Sequence, residues 1–545
     1  MLLARWSDGL ADPVGFVTGE HGRAIMPQSS HPVRTLMGTE TLSPELARSV
    51  RRALYSVIEV RELERRAESE AGCGSMILME RAGTEALRFI RNRWPAVRHL
   101  GILAGPGNNG GDGFALALEA IAAGYTVRVW TVGSQPVGPG RAMAHRLEAN
   151  PVCVPFGVNG IDDSREPELW VDALLGIGLN RPPDGLLLAA IDRLNRASAP
   201  ILSLDIPSGL DGDTGWAPGG GAAVVRATAT ITYLCLKRGL FTGVASQYVG
   251  RSLELARLGL PAEWLARSNP SAHLMDVDDL GSFLLPRSRA SHKGDWGHLL
   301  IAGGGIGFGG AVRLVAEGAL RTGAGLVSVV TRPEHVGALI ATRPEAMVHG
   351  TSSGRIPDAL LERATLGVIG CGLGQDRWGR RLWGQMMEWS KPLIVDADGL
   401  NLLARSPSRR GDWLLTPHPG EAARLLGVQI EDIEKNRFDA CASLVDRFQA
   451  DVVLKGAGTL VSGSPLAVCP FGNPGMASGG MGDFLSGIIG GLGAQGLPLA
   501  RAGALGVLVH ALAGDDAAHS GERGLLASDL ASFVRARINP HEKTG

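Results

Sequence analysis

The stretch Gly472–Gly491, GNPGMASGGMGDFLSGIIGG, decides how the second half of this 545-residue chain folds. Gly479, Gly480 and Gly482 surround Met481, Asp483 follows, and small and apolar residues then recur at the spacing of a buried helix. A glycine loop feeding a helix N-terminus presents backbone N–H groups and the positive end of the helix dipole with no Cβ in the way, which suits a phosphate. Asp483 falls in the first helical turn. There the dipole favours the ionised carboxylate, so it can take a proton from a substrate hydroxyl. A helix cap beside a turn gives the same short pattern, and the neighbouring segments must decide.

Upstream, LGVIGCGLG ends a strand at Gly372 and Gly374, and PLIVDADGLNLL ends another with Asp396 and Asp398. LLTPHPGEAARLL sets His418 before a helix whose first turn holds Glu421, and DVVLKGAGTLV ends a strand at Lys455. With the GGMGD loop these make a row of strand-end loops around one crevice. A lone histidine such as His418 is more often structural than catalytic. Lys455 is the stronger phosphate candidate, because its point charge complements backbone donors. The loop Gly303–Gly310 cradles a phosphate or simply turns the chain, and its sequence leaves both open.

The first half repeats the logic with different loops. From His99 to Val132 a short apolar strand, the loop PGNNGGDG, an alanine-rich helix and the strand TVRVWTV form a βαβ unit. Gly105, Gly107 and Gly110 fit a dinucleotide fingerprint, but the acid expected after the second strand is absent. The polar insert Asn108, Asn109 and Asp112 offers oxygens for a hard cation and donors for a phosphate or carboxamide, and turn formation explains it as well. LWVDALLGIGLNRPPDG and PILSLDIPSGLDGDTG then bring Asp172, Asp205 and Ser208 to strand ends, and parallel neighbours would gather them with Asn109 at one sheet edge.

Length and composition bound the rest. The chain is too long for one ordinary core, and 77 glycines in alternating apolar segments suit stacked βα units. Lysine plus arginine (53) balance aspartate plus glutamate (54), so no charge excess points to nucleic acid or an anionic membrane. Six scattered cysteines without a CxxC pair suit a reducing cytoplasm. No secretory leader is visible, and Ala504–Ala513 is too short for a membrane span. Residues 1–50 are expected as a poorly ordered extension whose Met26 and Met37 leave the start site open. Two helices broken at Gly72 and Gly74 are expected next, and a domain junction between Arg251 and Pro286.

GPGNNGGDG, VDALLGIGL, LDIPSGLDGDTG and LMERAG resemble the NAD(P)H-hydrate epimerases over about Tyr55–Gly259. HKG, RTGAGLVSV, GCGLG, DADGLN, TPHPGE, KGAGT and GNPGMASGGMGD, in that order, resemble the ribokinase-like NAD(P)H-hydrate dehydratases over about Met275–Arg537. The resemblance implies an α/β fold of two domains: an N-terminal Rossmann-like three-layer αβα sandwich and a C-terminal ribokinase-like αβα domain. The expected division is 51–260 epimerase, 261–274 linker and 275–540 dehydratase. In the epimerase it implies hydrated-dinucleotide contacts at Asn108, Asn109, Gly110, Gly111, Asp112, Gly176, Ile177, Gly178, Leu179, Asn180, Arg181, Pro182 and Asp205. Asp205 would pass a proton to and from the C6 hydroxyl. Asn109, Asp172 and Ser208 would hold K+. In the dehydratase it implies that Lys455, Gly456, Ala457, Gly458, Thr459 and Gly482 bind the nucleotide, while Ala324, Gly374, His418 and Asp483 contact the hydrated substrate. Asp483 would be the catalytic base, with Mg2+ on the nucleotide oxygens. The fusion of both domains points to ADP as co-substrate. The expected partners are therefore hydrated NADH or NADPH and ADP, with neither nucleic acid nor membrane, in a cytoplasmic homo-oligomer.

Three rivals stand against this expectation. A ribokinase-like small-molecule kinase fused to a dinucleotide-binding module would use the same GGMGD loop. A redox Rossmann enzyme would use Gly105–Gly110, and a cofactor-sensing module would need no catalysis.

Overall fold

The structure, a computed structural model, describes residues 33–35, 50–147, 152–157, 166–283 and 286–539. Most of the extension expected over residues 1–50 lies outside them. Within it the described strand Val33–Thr35 pairs in parallel with Leu253–Ala256.

The helical period after Tyr55 becomes two helices, Val57–Ala71 and Ser75–Arg93. Ser56 starts the first through a capping box with Glu59, and Gly72 ends it at φ 62°. Both helices pack on a parallel sheet. From edge to edge it runs Val33–Thr35, Leu253–Ala256, Ala229–Tyr233, Ile201–Leu204, Leu169–Ala173, His99–Ala104, Thr126–Thr131 and Cys153–Pro155. The alternation of strand side chains feeds two cores. Ile102, Val129 and Val171 meet the helices Ser75–Arg93 and Asn108–Ala122 on one face, while Leu103, Trp130 and Trp170 meet Gly185–Asn195 on the other. The chain leaves His99–Ala104 in one direction and returns on its other side at Leu169–Ala173. Loops diverge at that switch point and open a crevice.

The second sheet runs in parallel through Met347–Gly350, Leu326–Thr331, His298–Ala302, Leu366–Ile369, Leu393–Val395, Trp413–Leu415 and Asp451–Leu454. Its switch point falls between His298–Ala302 and Leu366–Ile369. Helices again cover both faces. Met481–Ala494 is buried along most of its length against Gly309–Arg321, and a Cβ on Gly487 would stand 2.1 Å from the carbonyl oxygen of Val315. Such close backbone approach is what the glycines of this helix permit.

The segment 261–274, expected as a linker, carries secondary structure. It holds the helix Ala262–Ala266 and the strand Ala272–Leu274. Beyond Asp451–Leu454 the second sheet continues through Thr459–Val461 and Leu466–Cys469, then Ala272–Leu274, Ala53–Tyr55 and Leu236–Lys237. The two halves thus share one sheet, and Leu54 and Leu236 lie in the same core as Leu274, Leu454 and Val468. Sequence periodicity could not show this, because strands of two or three residues carry no measurable period.

Candidate active sites

At the first switch point a cavity of about 620 Å3 opens between the Pro106–Asp112 loop, Leu174–Gly178, Asp205 and the charged face of Val57–Ala71. Asp205 follows its strand in the left-handed region (φ 63°), a strained setting for a residue with a Cβ, and Oδ1 accepts from the backbone N–H of Tyr233 at 3.2 Å. The buried Lys237 donates to the same oxygen at 2.5 Å and to the carbonyl of Tyr233 at 2.6 Å. Burial pushes Asp112 well above the usual carboxylate range, and the nearby Asp205 and Glu64 push it further. Burial also raises Glu64, against the pull of Lys237. Carboxylic acids and one buried cation therefore face one space.

Beneath the cavity Asp172 is fully buried. It accepts from Ser203 Oγ (2.8 Å), Ser208 N (2.9 Å), Ser208 Oγ (2.6 Å) and Leu174 N (3.3 Å), while burial still raises its pKa. Asn109 donates from Nδ2 to Leu175 O at 3.0 Å, yet its buried Oδ1 has no partner among the described residues. The hydroxyl of Tyr233, which lines the cavity, is likewise buried without one. An unpaired buried acceptor beside a carboxylate and a hydroxyl fits a hard cation such as K+.

Of the expected dinucleotide contacts, Asn108, Asn109, Asp112, Gly176, Ile177, Gly178 and Asp205 line the cavity. Gly110 and Gly111 are buried against Gly105 and Met79 instead, and Leu179–Pro182 lie further along their loop, with Arg181 paired to Asp184 at the surface. Lys237, Tyr233 and Glu64 were not picked out from the sequence. A single lysine within the apolar run ITYLCLKRGL was the available signal for the first.

At the second switch point the ligand atoms of Cys371, Asp396 and Asp483 lie within 4.8 Å of one another. Asp396 is 1% exposed and accepts from Lys455 Nζ (2.8 Å), Ser486 Oγ (2.8 Å) and Ala397 N (2.9 Å). Burial alone would raise Asp396, but Lys455 holds it below the usual carboxylate range. Burial would lower Lys455, but Asp396 and Glu421 hold it above its usual value. Gly480 enters the following helix at φ 90°, and Asp483 stands in that helix's first turn. Burial, reinforced by the charge of Asp396, pushes Asp483 up to about 6. At Gly482 a Cβ would lie 3.3 Å from Lys455 Nζ, so the glycine turn and the lysine meet. The Cys371 thiol is pushed up by burial and by Asp483 and Asp396, which keeps it protonated and leaves the two carboxylates as the hard-oxygen donors.

Gly374 comes to this crevice with its N–H donating to Asp398 Oδ2 at 2.9 Å. His418 caps the helix Pro419–Leu426: Nδ1 accepts from Gly420 N at 3.0 Å, and burial lowers its pKa. Ala324 is a correction. It lies beyond the C-terminus of Gly309–Arg321, about 20 Å of helix away from the crevice, and its neighbour Gly323 packs on Gln495 at the far end of the Asp483 helix. Ala311, in the first turn of Gly309–Arg321 and against Gly372, occupies the crevice end.

Two switch-point crevices, each with buried carboxylates against a lysine, and one with a glycine loop feeding a helix, define a two-site α/β enzyme. Residues 299–535 match the NAD(P)H-hydrate dehydratase family, and residues 75–239 match the YjeF-related protein N-terminus family. The chain is 45% identical to the bifunctional NAD(P)H-hydrate repair enzyme Nnr of Coxiella burnetii, covering 89% of this chain and 99% of that one, and 42% identical to the Escherichia coli (strain K12) Nnr enzyme, covering 90% and 95%. The chain belongs to the bifunctional NAD(P)H-hydrate repair enzymes. Among solved structures, the ADP/ATP-dependent NAD(P)H-hydrate dehydratase from Bacillus subtilis co-crystallized with ATP/Mg2+ is 26% identical, with 48% of this chain and 96% of that one covered at a TM-score of 0.44. Among the described residues no helix is long and apolar enough to cross a membrane.

Proposed function

We propose that the N-terminal cavity interconverts the R and S forms of hydrated NADH and NADPH, and that the C-terminal crevice dehydrates the S form at the expense of ADP, giving AMP and phosphate. The observation that carries the second step is Asp483, held at about 6 in the first turn of a helix that a glycine loop feeds. A carboxylate of that basicity is ionised at neutral pH and can still take a proton. It removes the C6 hydroxyl proton as the oxygen attacks the terminal phosphorus of ADP and AMP departs. The Gly479–Gly482 amides and Lys455 hold the transferred phosphoryl group. Phosphate, a better leaving group than hydroxide, then departs from C6 as the C5 proton is lost, and the C5–C6 double bond returns. Mg2+ neutralises phosphate charge when bound. The Asp396 carboxylate would help to hold it beside the nucleotide, leaving Asp483 free as the base.

In the N-terminal cavity the ring nitrogen lone pair expels the C6 hydroxyl, and water returns to either face of the iminium. Asp112, whose hold on its proton is strengthened by burial and its acidic neighbours, supports the role of acid toward the leaving hydroxyl. Asp205, oriented by Lys237, supports the role of base toward incoming water. Asn109, Asp172 and Ser208 would hold K+, which would fix the Leu174–Gly178 loop against the substrate. Lys455–Thr459 and Gly482 would take the nucleotide, and Gly374, His418 and Ala311 the hydrated ring. Epimer-resolved hydrated NADH with ADP or ATP is the direct test. Both epimers should regain near-ultraviolet absorbance in the parent, and the S epimer alone in Asp205→Asn. A stable phosphorylated alcohol in place of regenerated NADH would overturn the reading.

A further inference from the structure

Thr242 follows the N-terminal lysine Lys237 by five residues, yet its hydroxyl lies against the Lys455–Thr459 loop. Oγ1 stands 3.3 Å from the carbonyl oxygen of Ala457 and 3.2 Å from that of Gly458, and it accepts from Arg437 Nε at 3.1 Å. Arg437 also donates to the carbonyls of Leu454 (3.2 Å) and Lys455 (3.1 Å). Both side chains are buried, Thr242 at 2% and Arg437 at 1% exposure. The backbones touch as well. Gly458 has φ +63°, and a Cβ there would lie 1.9 Å from the carbonyl oxygen of Phe241. The Arg238 guanidinium, 4.6 Å above the Phe438 ring, closes the same junction.

In a trans peptide the C=O of one residue points opposite to the N–H of the next. Drawing the carbonyls of Ala457 and Gly458 towards Thr242 therefore turns the N–H groups of Gly458 and Thr459 away from it, as donors for a ligand on the loop's other side. A threonine hydroxyl can accept from Arg437 and donate to a carbonyl at once. Valine has the same shape and can do neither.

We infer that Thr242 is a positioning residue for the nucleotide, so that the C-terminal crevice is completed by the N-terminal half of the chain. The inference rests on reading Lys455–Thr459 as the nucleotide loop. Thr242 acts through the peptides of that loop, which it holds.

The test is titration calorimetry of ADP with Mg2+ into the full chain, with thermal midpoints recorded beside it. Thr242→Val should bind ADP about tenfold more weakly, a factor in keeping with one buried hydrogen-bond pair, and Thr242→Ser should restore binding to near the parent's. In steady state the KM for ADP should rise by the same factor in Thr242→Val while the KM for the hydrated cofactor stays. Thr242→Ala gives the same comparison if the valine variant does not fold. ADP binding by the valine or alanine variant equal to the parent's, or an equal rise in both KM values, overturns the inference. A parent chain that binds neither ADP nor ATP overturns the nucleotide-loop reading itself, and the inference with it.

Discussion

Lys455 Nζ stands 2.8 Å from Asp396 Oδ1, and this contact sets the charge state of the C-terminal crevice. Burial by itself pushes Asp396 up and Lys455 down, and each outweighs that burial for the other. Together they stay ionised, and the charge of Asp396 adds to burial in raising Asp483. One buried carboxylate thereby tunes the other.

Lys455→Met should leave Asp396 as an uncompensated buried charge. Denaturant unfolding at pH 7 should show a loss of about 3–5 kcal/mol, the scale for breaking a buried pair from one side. Lys455→Met/Asp396→Asn should recover most of that loss while ADP binding stays absent in both. A single variant as stable as the parent would contradict the pairing.

Asp483→Asn should slow dehydration by about 10²–10⁴-fold, the usual contribution of a positioned base. It should also melt higher at neutral pH. The folded pKa of about 6 exceeds the 3.8 of an unperturbed aspartate, so ionising this group costs stability. That cost is absent below pH 4 and fully present above pH 6, so the gap in thermal midpoint should close as pH falls through that window. Parent dehydration should decline about tenfold per pH unit below pH 6. A flat profile between pH 5 and 7 would remove Asp483 as the base.

The α/β fold was legible because both sheets repeat strand, glycine loop and helix at full length. Asp483 and Lys455 stood out as candidates because several strand-end loops, taken together, pointed to one crevice, where the glycine turn and the lysine do meet. Ala324 misled because RTGAGL is a strong local pattern at the wrong end of its helix, and a motif carries no information about which end of a strand it occupies. Lys237 and Thr242 were hidden for another reason: their partners lie 32 and more than 200 residues away in sequence. The shared sheet was hidden too, since Ala53–Tyr55 and Leu236–Lys237 are too short to show a period.

Lys237→Met should abolish epimerisation and destabilise the chain, because Asp205, Asp112 and Glu64 then share one space without their buried cation. Asp205→Asn/Lys237→Met should be more stable than Lys237→Met alone, giving a coupling energy of about 1–3 kcal/mol in the double-mutant cycle. Additive losses would show that the 2.5 Å contact contributes nothing.

Tyr233→Phe removes a buried hydroxyl that meets no partner among the described residues. If that hydroxyl meets no ligand, the variant should keep the parent's KM. If it meets the hydrated ring, epimerisation should show a raised KM, about tenfold for one hydrogen bond, at a thermal midpoint no lower than the parent's. We expect the second outcome, since Tyr233 lines the cavity.

Asn109 supplies the last case. Its Nδ2 is fixed on the Leu175 carbonyl, to which Ser208 Oγ also donates, and its buried Oδ1 meets no donor among the described residues. A buried oxygen in that state costs about 1–3 kcal/mol unless water or a cation reaches it. A cation that binds the folded chain alone stabilises it by mass action, about 2.7 kcal/mol at a hundredfold excess over its Kd. KCl should therefore raise the thermal midpoint of the parent above that in choline chloride at equal ionic strength, with NaCl giving a smaller rise. Asn109→Ala should abolish the difference between salts. Equal midpoints in all three salts would mean that Oδ1 is met by water, and K+ would then have no place in the first site.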